Sequence, residues 1–454
     1  MKLRAGMKTV ASAETIFALS SGHGRSGVAV VRISGPRAGA AVEALAGALP
    51  APRVAALRQL VDPASGDPID SGLVLYFPAP KSFTGEDVAE LQVHGGPAVI
   101  QGVIDALAEL PGLAPAEPGA FARRAFDNGR LDLTEVEGLA DLIEAETKAQ
   151  RLQALRQSGG TLGRLYEQWR EALMKALALV EAALDFSDEA DVPAEIEARA
   201  RPAVLRLRDA IRAHLDDGHR GERLRDGLHI VLAGPPNVGK SSLLNALARR
   251  DAAIVSEEAG TTRDVIEVHM DLGGYPVVVM DTAGLREAEG RVEAEGVRRS
   301  YARAEAADLV LWIVDAAAPE WDPPAHLHAG TATLMPVLNK IDLGLPERAE
   351  EIPDSLKISL KTGSGLDRLI ETVGEFAARE LAVGEAPQIT RARHRRELAA
   401  CEAALAGFLD GSLEELELRA EDLRQAAHAL GRITGRVDVE DVLDRIFGAF
   451  CIGK

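Results

Sequence analysis

The chain has 454 residues, enough for two to four domains with sizeable cores, and 46% of them are apolar, which excludes global disorder. Its formal charge of −19 excludes a broadly basic nucleic-acid binder, so a nucleic-acid partner has to be held by a local basic patch or by a second protein. Two cysteines, Cys401 and Cys451, fit a reducing cytoplasm rather than a disulfide framework, and no apolar run reaches the length of a bilayer span.

Met1 to Ala11 is basic but lacks the apolar stretch of a signal peptide, and Met7 is available as an alternative start. Residues 1–129 read as a mixed α and β segment. Val28 to Ile33 and Leu73 to Phe77 have the composition of strands bounded by Gly, Pro and Ser clusters. Pro97 to Leu110 reads as a helix, with Pro97 near its start and Pro111-Gly112 past its end. Two polar, glycine-containing stretches stand out here, Ser82-Phe83-Thr84-Gly85-Glu86-Asp87 and His94-Gly95-Gly96-Pro97. His94 reads as a satisfied loop histidine.

From about Leu131 the apolar period becomes helical, with Asp132 or Thr134 available as a cap. Leu162, Leu165, Trp169, Leu173, Leu177, Val180 and Leu184 line a second helix, and Val204, Leu205, Ile211 and Leu215 a third. Between 227 and 385 strands and helices alternate, the signature of a parallel sheet. The strand candidates are Leu228 to Ala233, Val277 to Met280, Leu309 to Val314, Thr333 to Leu338 and Leu356 to Ser359, and Gly273-Gly274 reads as a hairpin turn between Val265 to Leu272 and Tyr275 to Asp281. Helical periodicity returns over 386–454. The expected fold is therefore multidomain α/β + α, with an N-terminal α+β domain (1–129), a helical domain in two parts (130–226 and 386–454) and a Ras-like P-loop domain (227–385) inserted in it.

Within the insert, Gly234-Pro235-Pro236-Asn237-Val238-Gly239-Lys240-Ser241-Ser242 follows an apolar strand and precedes a helix, the context of a phosphate-binding loop. Such a turn aims backbone N–H groups at a polyphosphate, Lys240 can reach the terminal phosphates and Ser241 can hold Mg²⁺. Asp281-Thr282-Ala283-Gly284 closes another strand, where a carboxylate can reach Mg²⁺ and a glycine N–H the γ-phosphate. Thr262 is placed to supply the second Mg²⁺ hydroxyl. Asn339-Lys340-Ile341-Asp342 closes a further strand. Asp342 can accept from guanine N1–H and the exocyclic amine together, which predicts GTP over ATP by roughly 10⁴ or more. Ser359-Leu360-Lys361 fits the last base-side loop. Leu285 stands where Ras-like enzymes carry the glutamine that orients water, leaving Arg286, Glu287, Glu289, Glu293 and Glu295 as candidates for that role or as a solvated switch segment.

With these residues in place, the chain resembles the MnmE (TrmE) family of bacterial tRNA-modification GTPases over nearly its whole length. The resemblance rests on Gly260-Thr261-Thr262-Arg263-Asp264, Asp281 to Glu287, the two N-terminal stretches quoted above and the ending Phe450-Cys451-Ile452-Gly453-Lys454. It implies an N-terminal folate-binding domain that pairs in a homodimer, and inserted G domains that meet across the dimer on binding GTP, with K⁺ as activator. The family's K⁺ site maps to Asn237, Ser256, Glu258 and Thr261, where the cation neutralises developing charge. Its water-orienting residue matches Glu293. Its folate positions map to Arg32, Glu90 and Arg130, with Lys454 beside them, for a 5-formyl- or methylene-tetrahydrofolate. By their own sequence these residues read equally as surface ion pairs or solvated charges.

Cys451 reads from its surroundings as a small apolar residue after a helix, and from the resemblance as a participant in the modification chemistry; Cys401 reads as packing. Arg391, Arg393, His394, Arg395 and Arg396 form the clearest basic cluster, either a solvated helix start facing acidic neighbours or a contact for tRNA or a partner. In the family that partner is the flavoprotein MnmG (GidA), and the pair modifies carbon 5 of the wobble uridine of certain tRNAs with an aminomethyl or carboxymethylaminomethyl group. The implied reading is a cytoplasmic K⁺-activated GTPase acting in that reaction, with no membrane. Its rivals are a regulatory or ribosome-assembly GTPase switch without modification chemistry, and a folate-dependent one-carbon transferase with a vestigial G domain.

Overall fold

The computed structural model describes residues 14–22, 24–185, 192–250, 252–254, 267–281, 307–319, 321–323, 332–346, 355–382, 384, 386–412, 416–437, 440–448, 450 and 452–453. The chain divides into two compact units, one of residues 1–140, 158–167 and 430–454 and the other of 141–157 and 168–429.

The first unit is built on a sheet of β1 (Thr15–Leu19), β2 (Ser26–Ser34), β3 (Ala56–Val61), β4 (Pro68–Phe77), β5 (Val88–Gly95) and β6 (Leu113–Pro115). Their spatial order is β3-β4-β5-β2-β1-β6, antiparallel throughout except for β1 with β6. The alternation of side chains along a strand assigns the faces. Ala29, Val31 and Ile33 of β2 and Ala89, Leu91 and Val93 of β5 point to a core completed by helices α1 (Ala38–Ala46) and α2 (Pro97–Ala108). Val30, Arg32, Glu90 and Gln92 are left on the opposite face. β2 and β4 extend beyond their predicted runs, and β1, β3 and β5 carry no strand signal strong enough to single out. In β5 Glu90 and Gln92 interrupt the apolar run, because one face of this sheet is polar.

Helices α3 (Ala120–Asp127), the start of α4 (Leu133–Glu144) and α13 (Glu440–Gly448) share a second core of Ala122, Leu133, Val136, Leu443, Phe447 and Phe450. Of the two predicted caps for α4, Asp132 is used. Its Oδ1 accepts from Glu135 N at 2.9 Å while Glu135 Oε2 accepts from Asp132 N at 2.8 Å, a reciprocal capping box.

The second unit holds helices α5 (Lys148–Ser158), α7 (Val192–Leu215), α8 (Arg220–Asp226), α9 (Lys240–Ala248), α10 (Leu366–Leu381) and α11 (Ala392–Asp410), with most of α6 (Thr161–Asp185) and α12 (Leu416–Thr434). α7 packs along α11, burying Val204, Leu207 and Ile211 with Leu398, Cys401 and Leu405. Burial pushes the Cys401 thiol up to about 12, so it packs as an apolar group. Burial likewise pushes His214, edge-on to Trp169, down to about 4.

The sheet of this unit contains β7 (Leu228–Ala233), β8 (Ala253–Ile254), β9 (Glu267–Leu272), β10 (Tyr275–Asp281), β11 (Leu309–Asp315), β12 (Thr333–Asn339) and β13 (Leu356–Lys357), in the order β13-β12-β11-β7-β10-β9-β8. β7, β10, β11, β12 and β13 are parallel, and β9 and β8 add an antiparallel edge. Leu228, Ile230 and Leu232 face one core while Val231 and Ala233 face the other, so the apolar runs are continuous as parallel strands require. Gly273 and Gly274, at φ 64° and 92°, form the two-residue turn between β9 and β10. β13 ends at Lys357, short of the predicted Ser359, because Ser359 turns into the loop that follows.

Replacing Asp132 with alanine removes one half of the capping box, and we expect a loss of about 1 kcal/mol in urea unfolding with an unchanged denaturant slope.

Candidate functional site

β7 is flanked by β10 on one side and β11 on the other, and the chain leaves it at this switch point of the sheet, where α/β folds bind ligands. The loop to α9 needs left-handed backbone at Asn237 (φ 62°) and Gly239 (φ 103°). Gly239 also has no room for a side chain, because a Cβ there would lie 2.5 Å from Asn339 Nδ2. Lys240 reaches back over the loop and donates to Gly234 O at 2.9 Å and Pro235 O at 2.8 Å, which holds its charge above the N-terminus of α9. Ser242 is exposed in the first turn of that helix.

At the end of β10, Asp281 Oδ2 accepts from Ser241 Oγ at 2.5 Å, with Asp281 only 5% exposed. A hydroxyl and a carboxylate that converge in this way are the hard oxygen donors that suit Mg²⁺. Residues 237–242 and Asp281 are thus brought together at one end of the parallel sheet.

The base-side residues converge through Asn339, which is 2% exposed. Its Nδ2 donates to Val238 O at 2.8 Å and its Oδ1 accepts from Leu360 N at 3.4 Å, so one side chain ties the phosphate loop to the loop after β13. Lys340 donates to Asn237 O at 2.9 Å and pairs with Asp315 at 2.6 Å. Burial acts to raise Asp315, but the Lys340 hydrogen bond, the Ala317 N–H and the Lys340 charge together outweigh it and hold Asp315 below the usual carboxylate value. Asp342 accepts from Ser359 Oγ at 2.7 Å, and Lys361 lies 3.8 Å away. The Ser359 bond holds Asp342 below the usual carboxylate value, ionised and ready to accept two N–H groups. Asp315 was not visible as a member of this group from sequence; its position at the end of β11, paired in register with Asn339, is the available signal.

The predicted residues Ser256, Glu258, Thr261, Thr262, Thr282, Ala283, Gly284, Glu293, Cys451 and Lys454 lie outside the described residues, as does Leu285.

On the first unit's sheet, Arg32 and Glu90 are direct cross-strand partners. Arg32 donates to Glu90 Oε1 at 3.0 and 3.2 Å, and its guanidinium lies 5.3 Å from the Phe83 ring centre and 5.7 Å from that of Phe121. Arg130 is exposed and its stem lies against Gly85. The stretch 82–87 is fixed by groups that sequence reasoning missed. Ser34 Oγ meets Thr84 Oγ1 at 2.7 Å and Glu86 Oε2 at 2.9 Å, Arg124 meets Glu86 at 2.8 Å, and Asn128 Nδ2 donates to Thr84 O at 2.7 Å. The end of the chain comes to the same sheet: Ser20 Oγ donates to Gly453 O at 2.8 Å, and a Cβ at Gly453 would lie 2.1 Å from Leu19 O. His94 is at the end of β5 rather than in a loop, with its Nδ1 2.8 Å from Asp70.

The basic cluster at 391–396 does face acidic neighbours, but of its arginines only Arg396 is exposed. Arg391 pairs with Asp141 at 2.5 Å, Arg395 with Asp217 at 2.7 Å and Glu222 at 2.9 Å, and Arg396 with Glu397 at 3.0 Å. His394 is fully buried, with Arg393 3.1 Å from its Nε2. Internal carboxylates take up much of this charge, which leaves little of it for a polyanion.

A family profile described as the MnmE helical domain matches residues 133–451, and one described as the GTP-binding protein TrmE N-terminus matches 15–130. The chain is 57% identical over 450 residues to the tRNA modification GTPase MnmE of Parvibaculum lavamentivorans, covering 97% of this chain and 100% of that protein. It is 55% identical over 457 residues to the protein of the same name from Rhodospirillum rubrum, covering 97% and 99%.

Because the Asp342 carboxylate is held below its ordinary value, it stays ionised until the pH falls through that lowered value, well into acid. GDP affinity is therefore expected to show no Asp342 titration between pH 8 and pH 5. Asp342→Asn, measured by fluorescent-nucleotide titration, is expected to weaken GDP binding by about 100-fold or more, because one of two paired acceptor contacts is replaced by a donor.

Proposed function

The chain belongs to the MnmE family of tRNA modification GTPases, and from that premise we propose that it couples GTP hydrolysis to folate-dependent modification of carbon 5 of the wobble uridine in certain tRNAs. It is a GTP hydrolase. The observation that carries the wider reading is the meeting, on one sheet, of Arg32 and Glu90 with the end of the chain: Arg32 pairs with Ala18, one position from Leu19, against which Gly453 lies. A folate site and the chain end at Gly453 would thus share one surface.

In the proposed reaction water attacks the γ-phosphorus of GTP, and GDP and phosphate leave. Lys240 and the loop N–H groups hold the phosphates. Ser241 and Thr262, with Asp281, would hold Mg²⁺, which would supply charge to the β- and γ-phosphate oxygens. Leu285 cannot orient water, and the family resemblance gives that role to Glu293. Asn237, Ser256, Glu258 and Thr261 would hold K⁺, which would supply positive charge against the charge that develops in the transition state. The exposed Asn237 side chain, held at the loop surface by its left-handed backbone, supports that assignment.

For a tetrahydrofolate, whether 5-formyl or methylene, Glu90 offers an acceptor and Arg32 a cation flanked by aromatic rings, which suits a flat heterocycle with several N–H groups. Arg130, with Lys454, would meet the glutamate tail. The family resemblance gives Cys451 a part in the transfer. The domains in this reading are 1–129, 130–226 with 386–454, and 227–385.

The N-terminal sheet pairs with a second copy to make a homodimer. Leu57 and Leu73, cross-strand partners exposed by 66% and 39%, with Val28 exposed by 58%, supply an apolar face for that contact. The flavoprotein MnmG (GidA) is the second partner and holds most of the tRNA, consistent with the −19 charge and with the internal pairing of Arg391 and Arg395. No helix among the described residues is long and apolar enough to cross a membrane, and the reaction is assigned to the cytoplasm.

Nucleoside analysis of tRNA from a strain lacking this chain tests the reading against a regulatory switch. Loss of the C5 modification, restored by the wild-type chain, is expected; unchanged wobble nucleosides would contradict it. In vitro, GTP turnover should be at least about tenfold faster in K⁺ than in Na⁺. Glu293→Ala should bind GTP normally and hydrolyse it at least about 100-fold more slowly, as loss of a transition-state contact does.

A further inference from the structure

Residues 141–157 belong to the same compact unit as the nucleotide-binding sheet, although they precede it by a long stretch of chain. Helix α5 accounts for this. Thr147 and Gln150 close a capping box at its start: Gln150 Oε1 accepts from Thr147 N at 3.0 Å, and Gln150 N donates to Thr147 Oγ1 at 3.4 Å. Ala149 N–H, in that first turn, has no intrahelical carbonyl to meet. It donates instead to Gly274 O at 2.9 Å, in the turn between β9 and β10.

The rest of the docking is also made by polar groups. Gln150 Nε2 donates to Arg225 O at 2.9 Å, Gln153 Nε2 to Gly221 O at 3.0 Å and Arg156 to Gly384 O at 3.1 Å, and His269 Nδ1 lies 3.3 Å from Glu146 Oε2. Ala149 packs on the sheet's core and Ala154 and Gln157 are buried, yet Leu152 and Leu155 are exposed by 41% and 47%. The helix thus docks through amides on backbone carbonyls and turns leucines outward, the reverse of an ordinary surface helix. Each such bond contributes only about 1 kcal/mol, so the docking can be shifted at small cost.

The turn it grips is the far end of a rod. β10 begins beside Gly274 and ends at Asp281, the carboxylate that meets Ser241, and every residue from Pro276 to Asp281 is buried. It is paired on both sides, with β7 and with β9. A strand of that length spans roughly 20 Å, and its pairing on both sides ties a shift at its Asp281 end to the hairpin it forms with β9. We propose that helix α5 reads the nucleotide state through the Ala149–Gly274 contact: the position that Asp281 adopts with a triphosphate differs from that with a diphosphate, and β10 carries the difference to the turn and so to α5. Ala149, Gln150 and Gln153 are then positioning residues. The coupling is reciprocal, so loosening α5 changes the relative affinities for the two nucleotides. This rests on the GTP site alone; a chain that hydrolysed GTP without modifying tRNA would still show it.

Hydrogen exchange of the full chain, read by mass spectrometry with GDP and with a non-hydrolysable GTP analogue, tests the idea. Peptides covering 146–157 are expected to exchange at rates at least about threefold apart in the two states, together with those covering 267–281. Equal exchange of 146–157 in both states overturns the proposal. Ala149→Pro removes the donor at a first-turn position that tolerates proline, and Gln153→Leu removes a second anchor while leaving the first turn intact. Each is expected to change the ratio of GDP to analogue affinity by about threefold or more. An unchanged ratio in the folded variants also overturns it.

Discussion

The nucleotide site depends on the side chain of Asn339. It is buried, it binds the main chain of the phosphate loop at Val238 and of the base-side loop at Leu360, and it lies against Gly239. An unpaired buried amide costs about 1–3 kcal/mol, so neither loop can move away from the other without leaving that cost behind. Its neighbour Lys340 repeats the link with Asn237 O and Asp315, and Asp342, at the start of the next turn, is held ionised by Ser359. In the proposed site, phosphate recognition and base recognition are therefore linked by adjacent residues at the end of one strand, β12.

A comparable constraint shapes the N-terminal sheet. Alternation along β2 and β5 forces Arg32 and Glu90 onto the face away from the α1–α2 core, directly opposite each other. The Ser34–Thr84–Glu86–Arg124 cluster then fixes the 82–87 stretch so that Phe83 meets the Arg32 guanidinium. The chain end returns to β1 beside this pair through Ser20 and Gly453. Residues separated by most of the sequence share a surface because the sheet order sets β1 next to β2.

Much of this is legible in the sequence. The phosphate loop, the strand ends at Asp281 and Asn339 and the hairpin at Gly273-Gly274 are local patterns, because backbone conformation and parallel-strand burial act over a few residues. The polar-faced strand β5, the buried Ser34, the half-buried Arg124 and the internal partners of Arg391 and Arg395 are not legible. Their environments come from contacts distant in sequence: Asp141 meets Arg391 and Asp217 meets Arg395, and nothing local marks those carboxylates. Helix α5 is the clearest case. Thr147, Gln150 and Gln153 show no apolar face, because the face that docks is made of amides and a hydroxyl.

The central claim is that hydrolysis at the Asn339-built site drives chemistry at the Arg32 surface. It is tested most directly by reconstituting the chain with the flavoprotein partner, a tetrahydrofolate, tRNA and either GTP or its non-hydrolysable analogue, and quantifying the C5-modified wobble uridine. The account predicts modified nucleoside with GTP and none above background with the analogue. Equal product with both, or none with GTP, would contradict it.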